Sequence, residues 1–420
     1  MKSMKQCAVW LAGLLLASCS GTDRTLEQGT VNVVDAMKDL QELKASQLGK
    51  KIRFVPLETN DSALVSRNWN LLVNDKYAIV SNTEYGSSQK CMTFDLNTGK
   101  YIATVGHPGQ DPEAYGYCVP VLDEADSDAL YFYKGKGLVK YSADNRFLGS
   151  IKMGRRISFY PLPLISDTVM SMAVSEQCTD GGTHIAVLRM NLKGERIDST
   201  TVAGAGKTVI PNTPKVYTNA SIYEHPSLMP HSGLIFQKIE GMRKDAGHVA
   251  EVTGSNQMWQ ANGTIRFHQA FNDTVYSADA EGASVAYLFD TGRWHYSADE
   301  TEKTAITSDH VFVTDVTETK DKVVFAVSKG WFKEDNKEYV GLYDKKTGTT
   351  VMGEQEKGFR DDLAGFAPFY PIRTNSKGQL IGVMTVEDID KWLEKHPEAE
   401  RPAFLDTLTE DANPVLVIVE

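Results

Sequence analysis

From residue 52 onward the chain alternates short apolar runs with polar turns. Clear runs are Tyr77-Ala78-Ile79-Val80, Leu130-Tyr131-Phe132-Tyr133, His184-Ile185-Ala186-Val187-Leu188, His310-Val311-Phe312-Val313 and Lys322-Val323-Val324-Phe325-Ala326-Val327. Runs of this length, rich in β-branched and aromatic residues and bounded by turn formers, predict strands. Their close spacing predicts an all-β sandwich, barrel or propeller. Residues 31–51 carry no such alternation and read as a short helical or irregular lead-in.

A repeated local pattern narrows the choice. Phe94-Asp95-Leu96-Asn97-Thr98-Gly99-Lys100 recurs as Tyr343-Asp344-Lys345-Lys346-Thr347-Gly348-Thr349, with echoes at Tyr141-Ser142-Ala143-Asp144-Asn145-Arg146 and Asn191-Leu192-Lys193-Gly194-Glu195. Each follows an apolar strand and precedes another. The chemistry is that of a hairpin: Asp caps its own turn through its side chain, and Gly or Asn takes the left-handed conformation. One such hairpin per module gives modules of roughly 45–60 residues, the size of propeller blades. Asp95-Leu96-Asn97-Thr98-Gly99 also spaces oxygen side chains as a calcium loop does, but the closing bidentate Glu is absent at the required offset.

Two features stand outside the repeat. Val386-Glu387-Asp388-Ile389-Asp390-Lys391-Trp392-Leu393-Glu394-Lys395 places its apolar residues at helical spacing and predicts a helix inserted in the last module. The segments Ile52–Glu58 and Asn413–Glu420 both read as strands. A propeller must close its ring, and pairing the first and last strands in one blade removes a free edge. These features predict an all-β propeller with the N- and C-terminal strands closing the last blade.

The first residues differ in kind. A basic start (Lys2, Lys5) precedes an apolar run from Ala8 to Ala17, which ends at Leu16-Ala17-Ser18-Cys19. This three-part layout is that of a secretory signal, and the run is too short to span a bilayer. Leu16-Ala17-Ser18-Cys19 resembles the bacterial lipobox, which implies cleavage before Cys19 and diacylglycerol on its thiol. Domain limits follow as signal peptide 1–18, tether and lead-in 19–50, and propeller 51–420.

Composition adds exclusions. The chain carries 44 Lys and Arg against 55 Asp and Glu, a net charge of −11. Removing residues 1–18 takes away two lysines and no acid, so the mature chain stands at −13. Nucleic acid, whose phosphates need a basic footprint, is an excluded partner. Beyond Cys7 and Cys19 the thiols are Cys91, Cys118 and Cys178. No CxxC is present, so neither a metal cluster nor a redox motif is signalled, and buried small hydrophobes are the expected role.

Five segments carry a family resemblance: Phe54–Thr59, Phe94–Lys100, Val105–Tyr115, Phe271–Tyr276 and Asp411–Val415. Together they resemble the six-bladed β-propeller lipoproteins abundant in Bacteroidetes, relatives of the NHL-type propellers. The resemblance implies the fold, with six blades, and a place in the cell envelope, on the periplasmic or surface side of the outer membrane. In the third segment that family reads Gly-Gln-Gly-Pro-Gly-Glu before an aromatic residue. This chain has Gly109-Gln110-Asp111-Pro112-Glu113-Ala114-Tyr115, with two acids in place of glycines.

Candidate chemistry is sparse. His107, Asp111, Glu113 and Tyr115 fall in one loop and read as an acid–base or binding cluster, or as a polar inter-blade loop; the missing second histidine favours the loop. Trp69 near Arg67, Trp259 beside Gln260, and Arg293-Trp294-His295 could line a sugar- or peptide-binding face or pack between blades. Gly204-Ala205-Gly206-Lys207-Thr208 lacks the upstream glycine of a phosphate loop. No catalytic residue, metal ligand or cofactor is assigned. The expected function is non-catalytic binding of a protein or glycan partner by a membrane-tethered ring. The rival is an envelope hydrolase or lyase acting on glycans, with its site in the propeller channel.

Overall fold

The structure is a computed structural model and describes residues 29–66, 69–82, 89–153, 163–177, 183–202, 234–239, 249–254, 257–269, 272–295, 309–330 and 337–420. Six antiparallel sheets succeed one another along the chain and form the blades of a β-propeller. Blades 1 to 5 occupy residues 69–104, 120–152, 164–202, 257–289 and 311–354. Blade 6 takes three strands from residues 371–419 and its outermost from Ile52–Pro56. Val415–Val419 pairs antiparallel with Ile52–Pro56, placing Leu416 opposite Val55. The predicted ring closure is thus present. An additional hairpin, Leu234–Ile239 with Val249–Gly254, lies in the chain between blades 3 and 4.

The hydrophobic core is divided into wedges. Six buried clusters are found among the described residues, each between two successive blades. The blade 1–2 wedge, for example, unites Ile79, Cys91 and Val105 with Leu130, Phe132 and Val139. The blade 4–5 wedge unites Val275, Tyr287 and Phe289 with Val311, Val323 and Phe325. Strands covered on both faces need apolar side chains pointing both ways, which explains the unbroken apolar runs in the sequence.

The repeated turn motif joins the third and fourth strands of a blade. Asp95 Oδ1 accepts from the backbone N–H groups of Asn97 (3.1 Å) and Thr98 (2.8 Å), while Gly99 turns left-handed at φ +70°. Asp344 does the same with Lys346 and Thr347, and Gly348 has φ +69°. Asn191 and Asp279 cap the equivalent turns of blades 3 and 4. In blade 6 this position is the junction of the chain ends, where Glu420 O accepts from Lys50 and Lys51 N–H.

Antiparallel neighbours sort the connections onto two faces. Turns between strands 1 and 2, and between strands 3 and 4, form one face. Bonds from Asn74 to Ser127 O and from Asn375 to Asn74 O link the first turns of blades 6, 1 and 2 there. The opposite face carries the inter-blade crossings and the connections between strands 2 and 3. The helix Val386–Lys395 lies on this loop face. Thr385 and Asp388 close its capping box, and Trp392 packs edge-on against Phe366 at 5.1 Å. It packs on the ring, joining the blade 5–6 wedge.

The segment expected as a lead-in is part of the fold from residue 29 at the latest. Thr30–Val31 adds a fifth, parallel strand to blade 4. Val33–Lys38 forms a short helix, and Gln41 N–H donates to Met352 O on the outer strand of blade 5. Val31, Val33, Leu43 and Ala45 are all buried. These few apolar anchors have neither strand nor helix periodicity, so the alternation signal starts later than the packing. No helix among the described residues is long and apolar enough to cross a membrane.

Candidate functional site

The loop between blades 1 and 2 holds the His107 cluster. His107 Nε2 lies 2.8 Å from Asp111 Oδ2. The other Asp111 oxygen accepts from the N–H groups of Glu113 and Ala114, both at 3.0 Å. Asp111 is therefore a turn cap as well as a partner for the imidazole, and the His107 hydrogen bond is the leading cause holding its carboxyl below the usual range. Lys134 Nζ donates to Asp111 O and Tyr141 Oη to Glu113 O, so blade 2 braces the loop. Neither Asp111 nor Glu113 adopts positive φ, so the backbone at both positions accepts a side chain where the related pattern has glycines.

Tyr115 departs from its expected role. Its ring is fully buried, stacks on Phe132 with centroids 4.8 Å apart, and directs its hydroxyl at Cys118 Sγ, 3.6 Å away. It is a core residue and offers nothing to a ligand. The loop's exposed side chains include His107, Asp111, Glu113 and the half-exposed Tyr117. Cys91 and Cys118 are buried, unbridged thiols, and burial pushes Cys118 up to about 11. Cys19, Cys178, Arg67, Gly204–Thr208, His225, His231 and His248 lie outside the described residues.

The tryptophans divide. Trp69 begins the innermost strand of blade 1 and is buried in the blade 6–1 wedge, the packing role. Trp259 donates through Nε1 to Glu318 at 2.8 Å and is also tied into the ring. Trp294 sits on the loop face in the turn Gly292–Trp294, partly exposed, with the Arg293 guanidinium 4.2 Å above its ring. Such a pair contributes about 0.5–1 kcal/mol when exposed. His107 and Trp294 share the loop face but belong to the crossings after blades 1 and 4, so they do not form one cluster.

Three buried polar arrangements had no sequence signal. Glu318, at the end of the blade 5 inner strand, is buried and accepts from Tyr287 Oη (2.6 Å), Lys345 Nζ (2.7 Å) and Trp259 Nε1, with Arg266 Nε at 3.4 Å. Asp315, on the same strand at a bulge, accepts from Gln257 Nε2 at 3.2 Å; burial lifts its carboxyl to about 7. Arg373, on the blade 6 inner strand, reaches across the seam to blade 1, donating to Leu71 O (2.5 Å) and Asn70 Oδ1 (3.0 Å), and also to Ile372 O (2.7 Å). On the turn face, Glu124 is reachable by water yet ringed by protein. This crowding raises its carboxyl, with help from Asp123 and Asp75. His268 is a core histidine: Nε2 contacts Asn272 O at 2.8 Å, and burial lowers it to about 4. Among the described residues no group of His, Cys, Asp and Glu is placed to hold a metal ion.

Comparison with known proteins identifies the family. Residues 28–420 match the domain of unknown function DUF4934. The chain belongs to the DUF4934 family. The match takes in the strand Thr30–Val31 and the helix Val33–Lys38, which pack on blades 4 and 5. The DUF4934 ring is similar to the structure of a Bacteroides fragilis NCTC 9343 protein inferred to be exported. The TM-score is 0.55 at 13% identity, covering 90% of this chain and 97% of that one. Weaker likenesses are to U3-55K (TM-score 0.41, 10% identity, 90% and 100% covered) and to a subtype N10 neuraminidase-like protein from A/little yellow-shouldered bat/Guatemala (TM-score 0.37, 9% identity, 87% and 97% covered). At these scores neither bears on function. No curated protein matches the DUF4934 chain in sequence.

Proposed function

We propose that this protein is an envelope lipoprotein, lipidated at Cys19, whose NHL-like ring binds a protein or glycan partner through its loop face without catalysing a reaction. The observation that carries the reading is the inequality of the two faces. Tight capped turns close one face, whereas the other gathers the long crossings, the helix Val386–Lys395, the exposed His107–Asp111 pair and the Arg293–Trp294 stack. Binding residues concentrate on loops held by a rigid scaffold. The lipobox-like Leu16-Ala17-Ser18-Cys19 and the likeness to an inferred exported protein support the envelope location. Two or more acyl chains anchor firmly, because each buried CH₂ contributes about 0.8 kcal/mol.

The test combines fractionation with capture. Cys19→Ala should leave the membrane fraction or remain uncleaved. Wild-type protein retrieved from its native envelope should bring down a partner that His107→Ala plus Trp294→Ala loses. Membrane retention of Cys19→Ala at mature size defeats the anchor. Absence of any partner, together with turnover of a glycan library, defeats the binding reading in favour of an enzyme.

A further inference from the structure

A buried guanidinium sits in the channel wall without a carboxylate. Arg373 is only 7% exposed, and an arginine stays protonated in proteins, so its charge persists there. Other enclosed cations among the described residues have a carboxylate beside them: Arg266 and Lys345 share Glu318, and Arg189 pairs with Asp198 at 2.5 Å. The three acceptors of Arg373 are neutral: two backbone carbonyls and the Asn70 amide. Five N–H groups are available to an arginine, and three are used. One N–H on each terminal nitrogen has no acceptor among the described residues.

Position makes this a site rather than a buried strut. Trp69–Val73 and Pro371–Thr374 are the innermost strands of blades 1 and 6, each paired on one side only, so their other edges border the channel. The blade 6 strand bulges between Pro371 and Arg373, which frees Ile372 O for the guanidinium. Arg373 thus lies at the inner rim of a seam, held in one orientation by the bonds it already makes.

We infer that the propeller channel binds a small carboxylate through Arg373. A planar carboxylate accepts from both terminal nitrogens at once, the geometry for which arginine is suited. A single charge is favoured over a doubly charged phosphate, because the chain as a whole is acidic, with a net charge of −11. This site is separate from the loop face and stands whether or not that face has a partner.

Thermal unfolding and titration calorimetry of the mature protein test it, with sodium acetate, sodium D-glucuronate, sodium phosphate and sodium chloride compared at equal ionic strength. The carboxylates should raise the melting temperature saturably by several degrees over chloride. Asn70→Asp places a carboxylate 3.0 Å from the guanidinium in the existing bond. It should raise the basal melting temperature and weaken carboxylate binding at least tenfold. Arg373→Met should abolish binding; since it can also disturb the seam, Asn70→Asp is the deciding variant. No saturable carboxylate effect in the wild type, a phosphate effect larger than that of either carboxylate, or undiminished binding in Asn70→Asp would each overturn the inference.

Discussion

Removing the Glu318 carboxylate tests how the blade 4–5 seam is held. Its side chain is fully buried, beside Arg266 at 2% exposure and Lys345 at 8%. Glu318→Ala takes the carboxylate away from Arg266 and Lys345 and removes the acceptor of Tyr287 Oη and Trp259 Nε1. Breaking a buried pair by removing one partner costs about 3–5 kcal/mol, since the remaining charge has lost its compensation. Unfolding entropy is near 2.1 cal/mol/K per residue, so for a chain of 420 residues this is a fall of about 3–6 °C in melting temperature. The assay is thermal and urea unfolding followed by tryptophan fluorescence, at low and high salt. Adding Arg266→Met should recover at least half of the loss, because Lys345 can swing its ammonium to solvent while Arg266 cannot. A change below about 1 kcal/mol for Glu318→Ala, or a double variant less stable than the single, would refute the electrostatic account.

Other outcomes follow from the same structure. Asp315 keeps its proton in the folded state up to about pH 7, whereas an unfolded aspartate releases it near 3.9. The unfolded chain then binds fewer protons, so this group lowers stability as pH rises between those values, by up to about 4 kcal/mol. Asp315→Asn should flatten that part of the stability profile, and equal slopes for both proteins would contradict the assignment. Gly99→Ala should cost more than Gly348→Ala although both have φ near +70°: a Cβ at 99 would meet Pro56 O at 1.9 Å, while one at 348 meets nothing within 4 Å. Denaturation midpoints should put Gly348→Ala at about 1–2 kcal/mol and Gly99→Ala well beyond it. Tyr115→Ala should destabilise by about 3–5 kcal/mol, and His107→Ala by under about 0.5 kcal/mol, since one ring fills a wedge and the other faces water.

The parts of the fold that the sequence revealed are those set by short-range rules. Asp95 and Gly99 sit four residues apart in one turn, and their roles could be read there. The helix Val386–Lys395 was legible from its own spacing, and closure followed from two end segments that each looked like strands. The candidate site was less legible. Lys345 reads as a solvated turn residue in the repeat, yet its ammonium meets Glu318, 27 positions earlier. Arg373 acquires its meaning from Asn70, 303 positions away across a seam. The position of Tyr115 in a polar loop hid its inward turn, because burial there depends on Phe132 in the next blade. The strap at residues 29–48 escaped notice for a similar reason: two-residue strands have no periodicity.

Closing blade 6 with both chain ends also orders events in time. Ile52–Pro56 is synthesised long before its partner strand Val415–Val419; Arg53 and Glu420, which bond across them, are 367 positions apart. At about 5–20 residues per second, that edge waits roughly 20–70 s for its mate. Until then the outer strand of blade 6 has an unpaired apolar edge, as does Leu380–Met384. The nascent chain therefore needs shielding while it is made, and a nonsense codon within Val415–Val419 would cost the ring its closure rather than one strand.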